Sequence, residues 1–438
     1  MQLIEQQDAV NKWLERFGVR FGVYKNGVFH EQLFPFDPVP REIPHTEWAF
    51  IEKGLIQRAR ALNAFLLDIY HDKYIVRDKV IPEEFIYSSK GYLPQCEGIV
   101  PPKKIYAHIS GIDLVQAENG SWIVLEDNIR IPSGASYPII ARTVTRKVSP
   151  EVFARADIAD NRNYTALLRE LMDYLNVDNG LAVILTPGRY NSAFFEHSFL
   201  AEKTDAVLAF PGDLIVEEDK VYYKGLFNEK KRVGVIYRRV SDEYLDPLTF
   251  EEASLIGVPN LMRAYARGTV AVMNAVGNGI ADDKGLCYFV PKMIDYYLKE
   301  TALLQNAPTY LPYYEDDKKY VLEHIDKLVI KDVAEAGGYG VMFGQDMSAG
   351  RLAEVKRLIE TEPRRWIAQE VVQFRDLDVL EKSGLRGQRK SDLRAFVLSG
   401  EETKVWQSGL TRFAFHPDSY VVNSSQGGGF KDTWVKKS

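Results

Sequence analysis

An α/β (α+β) fold, with mixed sheets spread over two or three lobes and a helical N-terminal region, is what the apolar patterning of this chain predicts. Three observations carry that expectation. Residues 1–90 contain amphipathic stretches such as EWAFIEKGLIQRARALNAFLLDIY, whose apolar positions recur at helical spacing. Between 151 and 260, helical segments alternate with LAVILTPG, DAVLAFPGDLIV and VGVIYRRV, apolar runs of the length of a buried strand. From Lys104 to Arg142 the pattern becomes strand, turn, strand and then the Pro/Gly/Ser loop IPSGASYP.

Composition bounds the function. A chain of 438 residues that is 46% hydrophobic, with 20 prolines spread through it, suits one large enzyme or a few fused lobes. A net charge of -6 argues against a general binder of nucleic acid or anionic membranes, which needs surplus Lys and Arg. Only Cys96 and Cys287 are present, too few for a disulfide framework or a thiolate zinc site, and they read as buried thiols in a reducing cytoplasm. The N-terminus has early acidic residues and no uninterrupted apolar core, so a leader or anchor is not expected there. The longest apolar runs fall well short of the roughly 20 residues that cross a bilayer. A soluble protein, a homo-oligomer by base rate alone, is the expectation.

In order along the chain, 1–90 is the helical region, 91–150 holds the hairpin and the Pro/Ser/Gly loop, 151–260 is an α/β lobe, and 261–438 forms a further lobe, with a lysine and a glycine-rich loop, that returns to the core. In the last of these, KLVIKDV, RWIAQEVV, LRAFVLSG and YVVNSS read as strands.

The most informative segment is GIDLVQAENGSWIVLEDN. Two apolar runs flank Asn119-Gly120, the signal of a two-residue type I′ hairpin, and that register sets Asp113 directly opposite Glu126. Asn128 then shares their face, because strand side chains alternate with period two. Like charges opposite one another destabilise a sheet, so a cation between them makes sense of the pair, and hard oxygen ligands favour magnesium. A solvated acidic hairpin would show the same spacing.

The second element is LVIKDVAEAGGYGVMFG. A β-branched strand delivers Lys331, and Gly337, Gly338 and Gly340 follow it. Glycines let backbone N–H groups approach phosphates closely, and a strand-borne lysine adds a fixed positive charge. There is no GxxxxGK[ST] and no GxGxxG, and a protein kinase would place its glycine loop before the lysine. A glycine-rich turn beside an exposed lysine is the plainer alternative. Gln369 and Glu370, at the end of RRWIAQEVV, suit a purine at a lobe hinge or simply the exit of a buried strand. Arg394 and Arg412 have the planar fork that pairs with phosphate or carboxylate, and are equally at home on a surface. Arg189, Arg238 and Arg239 divide evenly between carboxylate recognition and structural ion pairs.

Taken in order, SGIDLV, VLEDNIRIPSGASY, LTPGRYNSAFFEH, VIYRRVSDEYLDPL, GIADDKGLCYFVPKMIDYYL, LVIKDVAEAGGYG, WIAQEVV, DLRAFVL and NSSQGGGFKDTWV resemble the circularly permuted ATP-grasp family (type 2), related to the synthetase domain of glutathionylspermidine synthase. The resemblance runs from about Pro82 to Trp434. It implies ATP and Mg2+ as cofactors, with Asp113, Glu126 and Asn128 holding the metal. It also implies Lys284 and Lys331 on the phosphates, Gly337, Gly338 and Gly340 in the covering loop, and Gln369 and Glu370 near adenine. Arg412, or Arg394 in its place, would stabilise the transferring phosphate. Arg130 and the loop Pro132–Gly134 would lie beside the metal, near the acceptor carboxylate. The implied reaction is ligation of a small-molecule or peptide carboxylate to an amine through an acyl phosphate. An ATP-dependent phosphotransferase, or a nucleotide-binding protein with little turnover, are the competing readings.

Overall fold

The computed structural model describes residues 2–25, 28–225, 229–333, 340–381, 386–417, 419–420, 422 and 428–437. The chain opens with α1 (Gln2–Arg16), which buries Val10 and Leu14 one turn apart, and continues into strands β1 (Arg20–Lys25), β2 (Val28–Leu33) and β3 (Phe36–Ile43). The expected helical region therefore contains three strands. Then comes α2 (His45–Ile69), which buries Trp48, Ile51, Leu55, Leu62 and Phe65 at spacings of three, four and seven.

A hairpin of β4 (Ile109–Gln116) and β5 (Trp122–Asn128) follows. The next lobe contributes β6 (Leu181–Leu185), β7 (Val207–Ala209), β8 (Leu214–Glu217), β9 (Lys220–Lys224), β10 (Lys230–Arg238) and β11 (Ala271–Met273). In it β7, β6, β10 and β11 run parallel, with the β8–β9 hairpin extending β10 on its other flank. The three apolar runs recognised in the sequence are strands of this one sheet.

The remaining strands are β12 (Gln305–Asn306), β13 (Thr309–Tyr310), β14 (Leu328–Asp332), β15 (Val341–Phe343), β16 (Trp366–Glu370), β17 (Leu377–Leu380), β18 (Arg386–Arg389), β19 (Ser391–Ser399), β20 (Thr403–Phe413) and β21 (Gly429–Val435). Of these, β13-β16-β14-β15 make a four-stranded sheet with its own small core of Val321, Ile325, Leu328, Ile330, Val355, Ile359, Trp366 and Ala368. The LRAFVLSG strand, β19, leaves that lobe and returns to lie beside β4. It completes a seven-stranded sheet in the order β12-β5-β4-β19-β20-β21-β3. Most of YVVNSS lies outside the described residues, and the strand observed in that part of the chain is β21.

The central sheet is packed on both faces. Leu393 and Ala395 join the core under α2, whereas Phe396 and Leu398 join the core shared with α1 and the Ser136–Val148 helix. Its outer strand β3 carries Pro38 and Pro40, residues tolerated at a sheet edge where an amide donor is dispensable. Among the described residues, no helix is long and apolar enough to cross a membrane.

Candidate functional site

The β4–β5 turn differs from the two-residue form. Ala117 N donates to Ser121 O at 2.8 Å, leaving Glu118, Asn119 and Gly120 as a three-residue loop with Gly120 at φ 87°. A side chain is strained at that angle, which is why glycine stands there. This loop slips the register by one, so that Leu114 faces Val124. Alone, the slip would have placed Leu125 opposite Asp113. A bulge between Asp113 and Leu114 undoes the slip, and Asp113 faces Glu126 after all. The expected pairing arises from two irregularities that cancel.

Around this pair the side chains converge. Asn128 Nδ2 lies 3.2 Å from Asp113 Oδ2 and 3.5 Å from Glu126 Oε1. Arg394, opposite Asp113 on β19, donates Nε to Oδ1 at 2.7 Å and Nη2 to Oδ2 at 2.8 Å. Arg412, from β20, adds Nη2 to the same Oδ2 at 2.9 Å and also pairs with Asp392. Burial works to raise the Asp113 pKa, but the two guanidiniums outweigh it and hold this carboxyl well below its ordinary value. Asp392 is pushed up to about 6, by burial first and despite Arg412, with the Asp113 charge adding to the rise.

The two arginines proposed for one role thus share a partner. Arg394 Nη1 also reaches Ser133 O at 3.2 Å, so each of its nitrogens is engaged. Arg412 Nη1 has no hydrogen-bond partner among the described residues.

As a donor set, Asp113, Glu126 and Asn128 fit a hard cation. Asp113 Oδ1 accepts one hydrogen bond from nitrogen against three at Oδ2, so it keeps a lone pair. A half-turn of the Asn128 amide places its oxygen where Nδ2 now lies, which matters because magnesium takes oxygen ligands.

Positive charge approaches from the small lobe. Lys331, on β14, has its pKa lowered chiefly by burial; Glu126 and Asp113 oppose that shift, and Lys284 reinforces it. Lys331 is therefore within electrostatic reach of the hairpin, and Lys284 of Lys331. Lys284 opens a short helix at Lys284–Cys287 whose cap is Asp283, accepting from Gly285 N at 2.8 Å. Gly337 and Gly338 lie outside the described residues. Gly340 closes the β14–β15 hairpin at φ 75°, its carbonyl accepting from Asp332 N. Gln369 is buried, with Nε2 on Thr309 Oγ1 at 2.9 Å, and Glu370 accepts from the Tyr310 and Tyr320 hydroxyls at 2.8 and 3.1 Å.

Arg130 lies 3.5 Å from Asp282 and 3.6 Å from Glu243, in an acidic corner beside the hairpin's exit. Two residues that sequence reasoning did not single out hold neighbouring parts in place. Glu196 accepts from Gly134 N at 2.8 Å, from Ser136 N and Oγ at 3.0 Å, and lies 3.4 Å from Arg239, so it anchors the Pro132–Gly134 loop. Asp392 is the second carboxylate on Arg412. Arg238 and Arg239 are structural: Arg238 pairs with Asp242 and bonds Asn274 O and Asn278, while Arg239 bonds Pro132 O and Tyr237. Arg189 is exposed, with no side-chain partner among the described residues. His197 is held by Thr186 at 2.9 Å, and burial pushes the Cys287 thiol up to about 12.

A profile of the circularly permuted ATP-grasp type 2 family matches residues 40–414. An uncharacterised protein of Synechocystis sp. is 44% identical over 96% of this chain and 88% of its own length. An uncharacterised protein of Mycobacterium tuberculosis is 43% identical over 99% and 78%. A Frankia casuarinae protein provisionally named glutamate–cysteine ligase 2-2 is 39% identical over 92% of this chain, which spans only 47% of it. A glutathione synthetase-like effector of Globodera pallida, solved without ligand, shares the fold at TM-score 0.61 and 11% identity, over 99% of this chain and 97% of its own.

Proposed function

We propose that this chain, which belongs to the circularly permuted ATP-grasp type 2 family, is a ligase that uses ATP and magnesium to join a carboxylate to an amine through an acyl phosphate. One observation supports it above the rest: Asp113, Glu126 and Asn128 meet on one sheet face with the Lys331 charge directed at them from another lobe.

Magnesium bound to Asp113, Glu126 and Asn128 would neutralise charge on the nucleotide's phosphate oxygens. Lys331 and Lys284 supply fixed positive charge for the same oxygens. Arg394 has no spare nitrogen and acts as a positioning residue that fixes the Asp113 carboxylate. Arg412 orients Asp113 too, while its remaining Nη1 donors favour it over Arg394 for contact with the transferring phosphoryl group. Reactions of this class rest on positioning and charge stabilisation, so no protein nucleophile is required, consistent with the inert Cys287. The activity named for the Frankia relative belongs to a chain about twice as long and identifies no substrate here.

The test is calorimetric titration of ATP with and without magnesium, followed by ADP release against pools of carboxylates and amines. The Glu126→Ala/Asn128→Ala variant, folded by circular dichroism, should lose magnesium-dependent ADP release by about 100-fold or more, since charge-stabilising groups are commonly worth that much. Undiminished turnover in that variant would overturn the metal assignment. A stable phosphorylated product in place of an amide would move the reading to phosphotransfer.

A further inference from the structure

Behind the central sheet lies a second candidate site. Thr411 and Arg412 are consecutive on β20 and so point to opposite faces. Lys431 faces Thr411, which puts it on the face away from Arg412 and Asp113. There, at the outer edge formed by β3, is a cavity of about 580 Å³ whose lining includes Arg41, Arg375 and Lys431. That volume is within the range of small-molecule sites.

The charges of its wall do not balance. Among its carboxylates, Glu42 is paired with Lys436, Asp376 with Lys390 and Asp378 with Arg386, all cations outside the lining. Lys431 is engaged with Asp37 and with Val39 O, both at 2.8 Å. Two guanidiniums remain. Arg41 is 4% exposed, yet among the described residues its side chain makes a single hydrogen bond, Nη1 to Asp392 O at 3.3 Å, and lies over the Trp122 ring at 4.7 Å. Among the described residues no carboxylate is within ion-pair distance of it; of the two acids whose charge it feels, Asp392 is paired with Arg412 and Glu47 is held by Trp122 and Gln116. Arg375 stands exposed in the same wall without a side-chain partner among the described residues, and its like charge repels that of Arg41. One lining carboxylate, the exposed Glu118, is left against these two cations. A buried guanidinium with most of its donors unused is costly unless something pairs with it.

We propose that this cavity binds a small organic anion, whose carboxylate or phosphate oxygens pair with Arg41 and Arg375. Arg41 supplies the planar fork that holds two oxygens at once, and its other face is already stacked on Trp122. Arg375 completes the grip from the rim. The site is separate from the nucleotide residues and stands whether or not the ligase reading holds. Asp392 stands between the two, accepting a hydrogen bond from Arg41 on its carbonyl and from Arg412 on its carboxylate.

The experiment is calorimetric titration of the full chain with inorganic phosphate, citrate and glutamate at matched ionic strength. The parent is compared with Arg375→Ala, Arg41→Lys and Lys331→Ala. At least one anion should bind saturably, one per chain, with affinity falling about tenfold in Arg41→Lys and in Arg375→Ala and unchanged in Lys331→Ala. Preference for phosphate over the two carboxylates, or the reverse, tells which oxyanion the site takes. Absence of saturable binding by the parent up to about 10 mM would overturn the proposal. Parent-like affinity in both arginine variants, or loss of binding in Lys331→Ala, would equally overturn it. Arg375 is exposed, so its variant tests the site without endangering the fold.

Discussion

Asp113 and His108 show how far burial alone decides the state of a group. Five residues apart in sequence, both are almost wholly enclosed, but Asp113 stays charged because two arginines reach it, and His108 stays neutral because burial and a nearby cation both act against its proton. Burial, helped by the Arg238 charge, lowers His108 to about 3 from 6.5, and its Nδ1 has no hydrogen-bond partner. Unfolded, this imidazole takes up a proton near pH 6.5; folded, it refuses one. Its contribution to stability is therefore complete above pH 6.5 and declines as pH falls from there toward 3. Urea unfolding at pH 7 and pH 5 should show His108→Asn losing about 2 kcal/mol less than the parent between the two pH values. At this scale, the convergence of Asp113, Glu126 and Asn128 on one face of the hairpin was legible in sequence. Glu196 and Asp392 were not, because a carboxylate's partner can lie 62 or 20 residues away, as Gly134 and Arg412 do, and only the fold brings them together.

Among the elements, the β4–β5 hairpin shows that a correct pairing can be read for an incomplete reason. Asn119-Gly120 signals a turn, but turn length and bulges depend on packing, and here the fully buried β4 strand tolerates only the register that keeps its apolar side chains in the two cores. The alternation of β1 and β2 was similarly masked by the strong helical periodicity of α1 and α2 on either side. The loop after this hairpin is constrained by geometry as well as by Glu196. Gly134 has φ 114°, and a Cβ there would sit 2.6 Å from Leu410 Cδ2. Gly134→Ala should cost about 1–3 kcal/mol in thermal or urea unfolding, since backbone strain and the contact act together. A variant as stable as the parent would show that the loop has room to move.

At the level of the whole molecule, the α/β character followed from apolar runs and a return of the last segment to the core was expected, while the strands that make it, β19 and β21, and the neighbours they pair with were not legible. Pairing between segments separated by some 280 residues, as for Arg394 and Asp113, leaves no local mark in a sequence. Among the described residues the small lobe has a core of eight buried apolar side chains, far fewer than the cores around the central sheet, so it should open at lower free energy. A nucleotide contacting both Lys331 and the hairpin would tie the two together. Hydrogen exchange across β14–β16 should slow on addition of ATP with magnesium, and at about 100 times Kd the lobe should gain about 2.7 kcal/mol against opening. Lys331→Ala should show neither effect.

The double grip of Arg394 and Arg412 on Asp113 also bears on the sequence of events in time. A carboxylate already matched by two cations offers a third little net attraction, and of the three ligands proposed for magnesium the other carboxylate, Glu126, already feels the Lys331 charge. A bare divalent ion thus has weak reason to settle before the nucleotide arrives with its phosphates. Metal and nucleotide should enter as one complex, so that initial rates follow the concentration of MgATP and gain nothing from magnesium added beyond it.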